Sequence, residues 1–137
     1  MSFTHMLENK ILDHIFGGEP YARPVTLHVG LSLTPLQDDG SGVTEPDAEA
    51  EYERVLIAND NTTWRAAETD SEEGRGVKTN AVPIQFPEAT EDWGTLTHFF
   101  IADGESILGH GPLFEAKTVP AGMVVQFSPG ELMISLD

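Results

Sequence analysis

The spacing of apolar residues changes period at Gly17-Gly18, and that change limits the folds open to the chain. Before it, Phe3, Leu7, Ile11 and Ile15 recur every four residues, with Met6 and Leu12 widening the stripe. This predicts a short amphipathic helix over about 2–17. Ser2 is placed to cap it by accepting a backbone N–H of the first turn, and the glycine pair stops it. After it, Val25, Leu27, Val29, Leu31 and Leu33 alternate with Thr26, His28, Gly30 and Ser32. A period of two puts five apolar side chains on one face of a strand. Pro24 and Pro35 bracket that strand, as suits strand ends.

Period-two segments recur through the rest of the chain. Tyr52–Ala58 and Thr62–Ala66 read as a hairpin around Asn59-Asp60-Asn61. Val77–Phe86 follows, with Pro83 marking an edge or a bulge. Gly94–Ala102 turns at Asp103-Gly104 into Ser106–Phe114. Two further alternations, Met123/Val125/Phe127 and Leu132/Ile134/Leu136, flank Pro129-Gly130. About eight short strands at this spacing predict an all-β fold, a β-sandwich or jelly-roll-like domain over about 24–137. With the helix it forms one domain spanning 1–137, a length that supports a real core. Residues 36–53 and Glu68–Gly74 read as long acidic connections, functional or mobile.

Charge removes several classes of partner. The chain has 23 acidic and 7 basic residues, a net charge of −16, and its only lysines are Lys10, Lys78 and Lys117. Phosphate binding needs a basic stripe, so nucleic acid is excluded as a partner. An anionic membrane surface would repel the chain for the same reason. Such a charge destabilises the compact state in dilute buffer, and salt relieves it, which fits a protein made for a high-salt cytoplasm. There is no cysteine, hence no disulfide scaffold and no thiolate metal site. No apolar run is long enough to span a membrane. The start of the chain, with Glu8 and no basic segment, lacks the pattern of a secretory signal.

The search for chemistry finds no reaction centre. No serine stands in a Gly-x-Ser-x-Gly elbow, and no glycine-rich phosphate loop links a strand to a helix. Gly109-His110-Gly111 lies in a β-rich stretch and lacks that spacing. His5, His14, His28, His98 and His110 do not form a zinc helix motif. Among so many carboxylates, chance proximity makes a glycosidase pair weak. The reading is therefore not an enzyme, with no catalytic residue and no cofactor. A Ca²⁺ ion at Asp38–Gly42 or Asp70–Gly74 is the one exception kept open, although neither loop has the EF-hand pattern. Trp64, Trp93, Phe99 and Phe100 supply aromatic surface that sugars stack on. Phe99 and Phe100, being consecutive in a strand, face opposite sides, so one of them needs cover from a second layer or from a partner.

The opening Leu7–Gly18, then Tyr21, Pro24 and Leu27–Ser32, resembles a family of small tailed-phage proteins labelled tail fibre or head fibre proteins. The resemblance continues through Asp39–Gly42, Glu45-Pro46, Tyr52-x-Arg54-Val55 and Gly76–Asn80. It then runs through Ile84-x-Phe86-Pro87-x-Ala89-Thr90, Trp93-Gly94-Thr95-x-Thr97-His98-Phe99 and the closing Leu132-x-Ile134-x-Leu136-Asp137. It implies a virion structural protein associated with capsid or tail, working by assembly with other virion proteins and with itself as a symmetric trimer or pentamer. The acidic insertions Asp47–Glu53 and Glu68–Gly74 depart from the family pattern and suggest a haloarchaeal tailed virus. Phe3, Leu7, Ile11 and Ile15 are the expected interface. The alternative role is binding a host surface glycan through Asp47, Glu49, Glu51, Trp64 and Trp93.

The charge generates a first prediction. Thermal unfolding followed by circular dichroism should shift to higher temperature between dilute buffer and about 1 M NaCl, where the Debye length is only ~3 Å. A flat or falling melting temperature would mean that the acids do not load the fold.

Overall fold

A computed structural model of the protein describes residues 1–136; Asp137, the last residue of the sequence pattern, lies outside them. The strands and helix, in chain order, are β1 (Ser2–Phe3), α1 (His5–Phe16), β2 (Thr26–Ser32), β3 (Val55–Ala58), β4 (Glu68–Thr69), β5 (Gly76–Thr79), β6 (Ile84–Gln85), β7 (Gly94–Ala102), β8 (Ile107–Val119), β9 (Gln126–Phe127) and β10 (Met133–Leu136). A single 3₁₀ turn, Ala48–Ala50, precedes β3. The largest sheet has the order β1-β8-β7-β2-β3, and two smaller sheets are β10-β5-β4 and β6-β9. Every pairing is antiparallel. The fold is all-β and sandwich-like, with one short N-terminal helix.

The strongest alternation in the sequence sits at the centre of the large sheet. β2 pairs with β7 in the register Val29↔Ile101, Gly30↔Phe100, Leu31↔Phe99. Leu27, Val29, Leu31, Leu96, Phe99 and Ile101 are buried in one core with Ile84, Phe86, Val125, Phe127 and Leu132 from the segments packed opposite. Phe127 joins the layers, its ring centroid 5.9 Å from Phe99 and 6.3 Å from Phe86, both edge-on. Edge-to-face pairs of this kind add about 0.5–1.5 kcal/mol beyond area burial.

The other face of the sheet has its own cover. Phe100 is wholly buried there, with Leu36 and Ala102, and Val43 and Ile107 pack against them. Its ring lies flat on Gly30, where an added Cβ would come 2.2 Å from Phe100 Cζ. The Arg54 guanidinium sits 4.8 Å from the same ring centroid, in cation–π range. The segment expected to be a functional or mobile connection is thus a structural layer at its start. Leu33 N–H donates to Thr44 O, and Thr44 N–H donates to Ser32 Oγ, at 2.8 and 3.0 Å.

Several expected boundaries move, each for a local reason. Ser2 does not cap the helix; it pairs with His110 in β1, and α1 begins at His5. Thr4 occupies the cap position, but its hydroxyl donates to Ile107 O and Leu108 O, which pins the chain to β8. The expected strand Tyr52–Ala58 shortens to Val55–Ala58 because Tyr52 turns inward to bond across the core. The return strand Thr62–Ala66 is absent. Asp60 Oδ1 accepts the Thr62 and Thr63 N–H groups, and the turn this makes leaves Trp64 with a single bridge to Asn80. Val77–Phe86 splits into β5 and β6 on either side of Asn80 and Pro83.

Asn80 explains that split. Its fully buried side chain donates to Val82 O and Ser128 O, and accepts from Gly130 and Leu132 N–H, all at 2.8–3.1 Å. All four hydrogen-bonding positions of the amide are filled. Asn80→Ala should lower the unfolding free energy by about 3 kcal/mol or more, because each buried group left unpaired costs about 1–3 kcal/mol. Urea unfolding measures this, and a loss below about 1 kcal/mol would remove Asn80 from its central role.

Candidate functional site

Assembly surfaces are recognised by apolar side chains that a fold leaves in solvent. The N-terminal half of α1 is docked: Leu7 is buried, and Met6 and Ile11 pack against the core, as does Phe3 from β1. Three of the four residues expected at an interface, Phe3, Leu7 and Ile11, therefore close this chain's own core. Ile15 is 61% exposed, and Leu12 and Phe16 beside it are 54% and 81% exposed. Positions 12, 15 and 16 fall on one face of a helix. The exposed stripe is thus displaced one to two turns towards the C-terminal end of α1, where every residue from Leu12 to Phe16 is exposed.

A second apolar feature lies on β8. Leu96 pairs with Lys117 and His98 with Pro112. Only Thr97 on β7 therefore opposes Leu113–Ala116 on β8, and the surplus chain arches away from the sheet. Such a bulge redirects side chains. Phe114 at the arch is fully exposed. Next to it is a groove of about 530 Å³ lined by Leu113, Phe114, Val125, Phe127 and Met133 among others. The expected strand ends at Phe114, inside this arch, and its alternation carries no mark of the mismatch of four residues against one.

A smaller polar recess, about 390 Å³, lies between Thr4, Asp38, Asp39, Arg54, Glu105 and Ser106. Most of its charged groups already have partners within the chain. Arg54 makes a two-pronged bond to Glu45 at 2.9 and 3.1 Å, which raises its pKa. Asp38 Oδ1 meets His110 Nε2 at 2.9 Å. Asp39 accepts the Ser41 hydroxyl and N–H at 2.6 and 2.9 Å, which holds its carboxyl below the usual range. In the other acidic loop, Asp70 accepts the Glu72 N–H and lies near Arg75. Among the described residues, no three or more acidic, histidine or cysteine side chains gather where a metal ion would sit. The Ca²⁺ expectation gains no ligand set from this geometry.

The residues expected to face a receptor separate into two groups. Trp64 and Trp93 are each 3% exposed, so neither ring is available for stacking. Trp93 packs edge-on against Tyr52, and its indole N–H donates to Ala50 O at 3.0 Å. Asp47, Glu49 and Glu51 are exposed around the 3₁₀ turn. Asp47 accepts the Glu49 N–H at 2.9 Å, and Glu51 takes a left-handed φ of 63°.

A model of the family described as "Podophage GP4 fiber I protein gp80" matches residues 2–135. The chain belongs to this fibre family. As a fibre-family protein it is a structural component of a virion. The match runs from β1 into β10, so α1, the arch and the groove all lie within the family's extent. It gives no support to a haloarchaeal host. A search of curated proteins found no match.

In the fibre protein, His98 sits at the foot of the arch, opposite Pro112. Partial burial, followed by the nearby His110, holds its pKa below 6.5. The unfolded chain therefore takes up a proton at His98 before the folded chain does, and this contribution to stability falls as pH drops below about 6.5. Thermal midpoints should decline from pH 7 towards pH 5, and His98→Gln should flatten that slope. An unchanged slope would assign the acid sensitivity elsewhere.

Proposed function

We propose that this fibre protein is an assembly unit of the virion exterior, held in place through the projecting end of α1. The observation that carries the reading is the stripe Leu12, Ile15 and Phe16. It is exposed on a helix whose other end is fixed to the sheet by Thr4, Leu7 and Ile11. A docked helix that leaves its last turn uncovered presents an apolar element at a defined angle. Burying a side chain such as phenylalanine at a contact contributes about 1.5–3 kcal/mol, roughly ten- to a hundredfold in affinity.

Phe16→Asp in the phage should therefore leave the melting curve of the purified protein unchanged while depleting the protein from purified particles by tenfold or more. Incorporation at the normal level would reject the reading. Gold labelling of wild-type particles distinguishes head from tail attachment. The receptor-binding alternative rests on Asp47, Glu49 and Glu51 alone, since the tryptophans are enclosed. Particles with these three neutralised should adsorb to host cells normally if the role is assembly.

A further inference from the structure

We propose that His14 is a proton-operated switch in the turn that ends α1: neutral, it ties that turn to Tyr21; protonated, it releases Tyr21 and holds Glu19 instead. The geometry sets one ring nitrogen between two backbone groups. The Tyr21 N–H donates to His14 Nδ1 at 3.2 Å, and the same Nδ1 lies 3.3 Å from Glu19 O. These two contacts need opposite states of the nitrogen. A backbone N–H only donates, so Nδ1 meets Tyr21 with its lone pair, in the neutral ring that carries its proton on Nε2. A carbonyl only accepts, so Nδ1 bonds Glu19 O only when it bears a proton. The imidazolium has a proton on both nitrogens, and its Nδ1 then has nothing with which to accept the Tyr21 N–H.

The local chain presents both groups to the ring. Gly18 takes a left-handed φ of 79° and reverses the chain after α1. The Glu19 N–H then returns to Asp13 O at 3.1 Å, which sets Glu19 O beside the next residue of the helix, His14. Tyr21 is held from its other side: its half-buried ring packs against the core. The Lys10 ammonium stands 5.9 Å from the centroid of that ring, and Lys10 lies one turn before His14 on the same helix face. The charged and titratable groups around the imidazole are thus Lys10 and Asp13 on α1, Glu19 in the turn, Tyr21 itself and, across Tyr21, Asp103 in the β7–β8 turn. His14 is exposed, so a proton reaches it without unfolding, and histidine changes charge between about pH 5 and 8. A cation near a helix C-terminus is favourable. The last turn of α1 therefore persists in acid, and the link towards β2 is what loosens. Leu12, Ile15 and Phe16 stand in that part of the helix, so acid frees the end that carries them. The switch operates within one chain, whatever the stripe meets in the particle.

Nuclear magnetic resonance of the ¹⁵N-labelled chain, titrated from about pH 8 to about pH 5, tests this. At the alkaline end the His14 ring should be the Nε2–H tautomer. Through the titration the Tyr21 amide should shift with the same midpoint as the ring. Its hydrogen exchange, corrected for the intrinsic effect of pH, should speed up about threefold or more, as the loss of one hydrogen bond requires. His14→Ala changes an exposed position and should fold as wild type does by circular dichroism. In that variant the Tyr21 amide should stop titrating and should exchange throughout at the corrected rate of the acid state. A His14 ring protonated at Nδ1 at about pH 8 would overturn the proposal, since Glu19 would then hold it in both states. A Tyr21 amide that ignores the titration of His14, or one that still titrates in His14→Ala, would overturn it equally.

Discussion

The central sheet must be covered on both faces, and the contact of Phe100 with Gly30 makes this happen. A strand that carries Phe99 and Phe100 in succession cannot leave either face in water without stranding a large ring. Gly30 supplies the space in which Phe100 lies flat, since any side chain there would occupy the ring's position. Once the ring is down, Leu36 and Ala102 close around it, and the segment after β2 has a floor to pack against. A loop thus does the work of a second sheet, and the other face keeps the thicker aromatic core around Phe127.

Polar groups fix the covers in place. Tyr52 reaches across the core so that its hydroxyl accepts the Leu31 N–H and donates to Glu45; burial, the largest influence, drives its pKa well above 10. Glu45 in turn holds Arg54 over Phe100. One chain of contacts therefore links the β2 backbone, the loop and the ring. Asn80 serves the opposite layer in the same way, fixing the ends of β5 and β6 to the turn before β10. Both devices are buried and satisfied, the condition under which polar groups in a core specify a single arrangement.

Much of this was legible in the sequence where the period was long enough to register. β7 has the expected bounds, Gly94–Ala102, and the Asp103-Gly104 turn follows it, with Asp103 accepting the Glu105 and Ser106 N–H groups. The need for cover over one of Phe99 and Phe100 was also readable, although not that a loop would provide it. Two-residue strands such as β1, β4, β6 and β9 carry no periodicity, so Ser2 read as a cap. The tryptophans read as surface because composition does not report burial. The expected interface residues were taken from the four-residue apolar spacing; Phe3 of that set lies in β1 rather than in the helix, and spacing does not say where along a helix the protein body ends. That position follows from Thr4 anchoring the helix to β8, a contact between residues 104 positions apart in sequence.

The arch in β8 has a consequence for life at crowded density. β1 covers β8 only at Gly109 and His110, so a regular β8 would leave the rest of a thirteen-residue strand open to any passing strand. A straight border of that length invites indiscriminate zipping between copies. The displaced segment interrupts the row of backbone donors and acceptors, so no long register is available to a stray neighbour. Recognition is thereby moved from main chain, which is the same in every protein, to side chains, which are particular to this one.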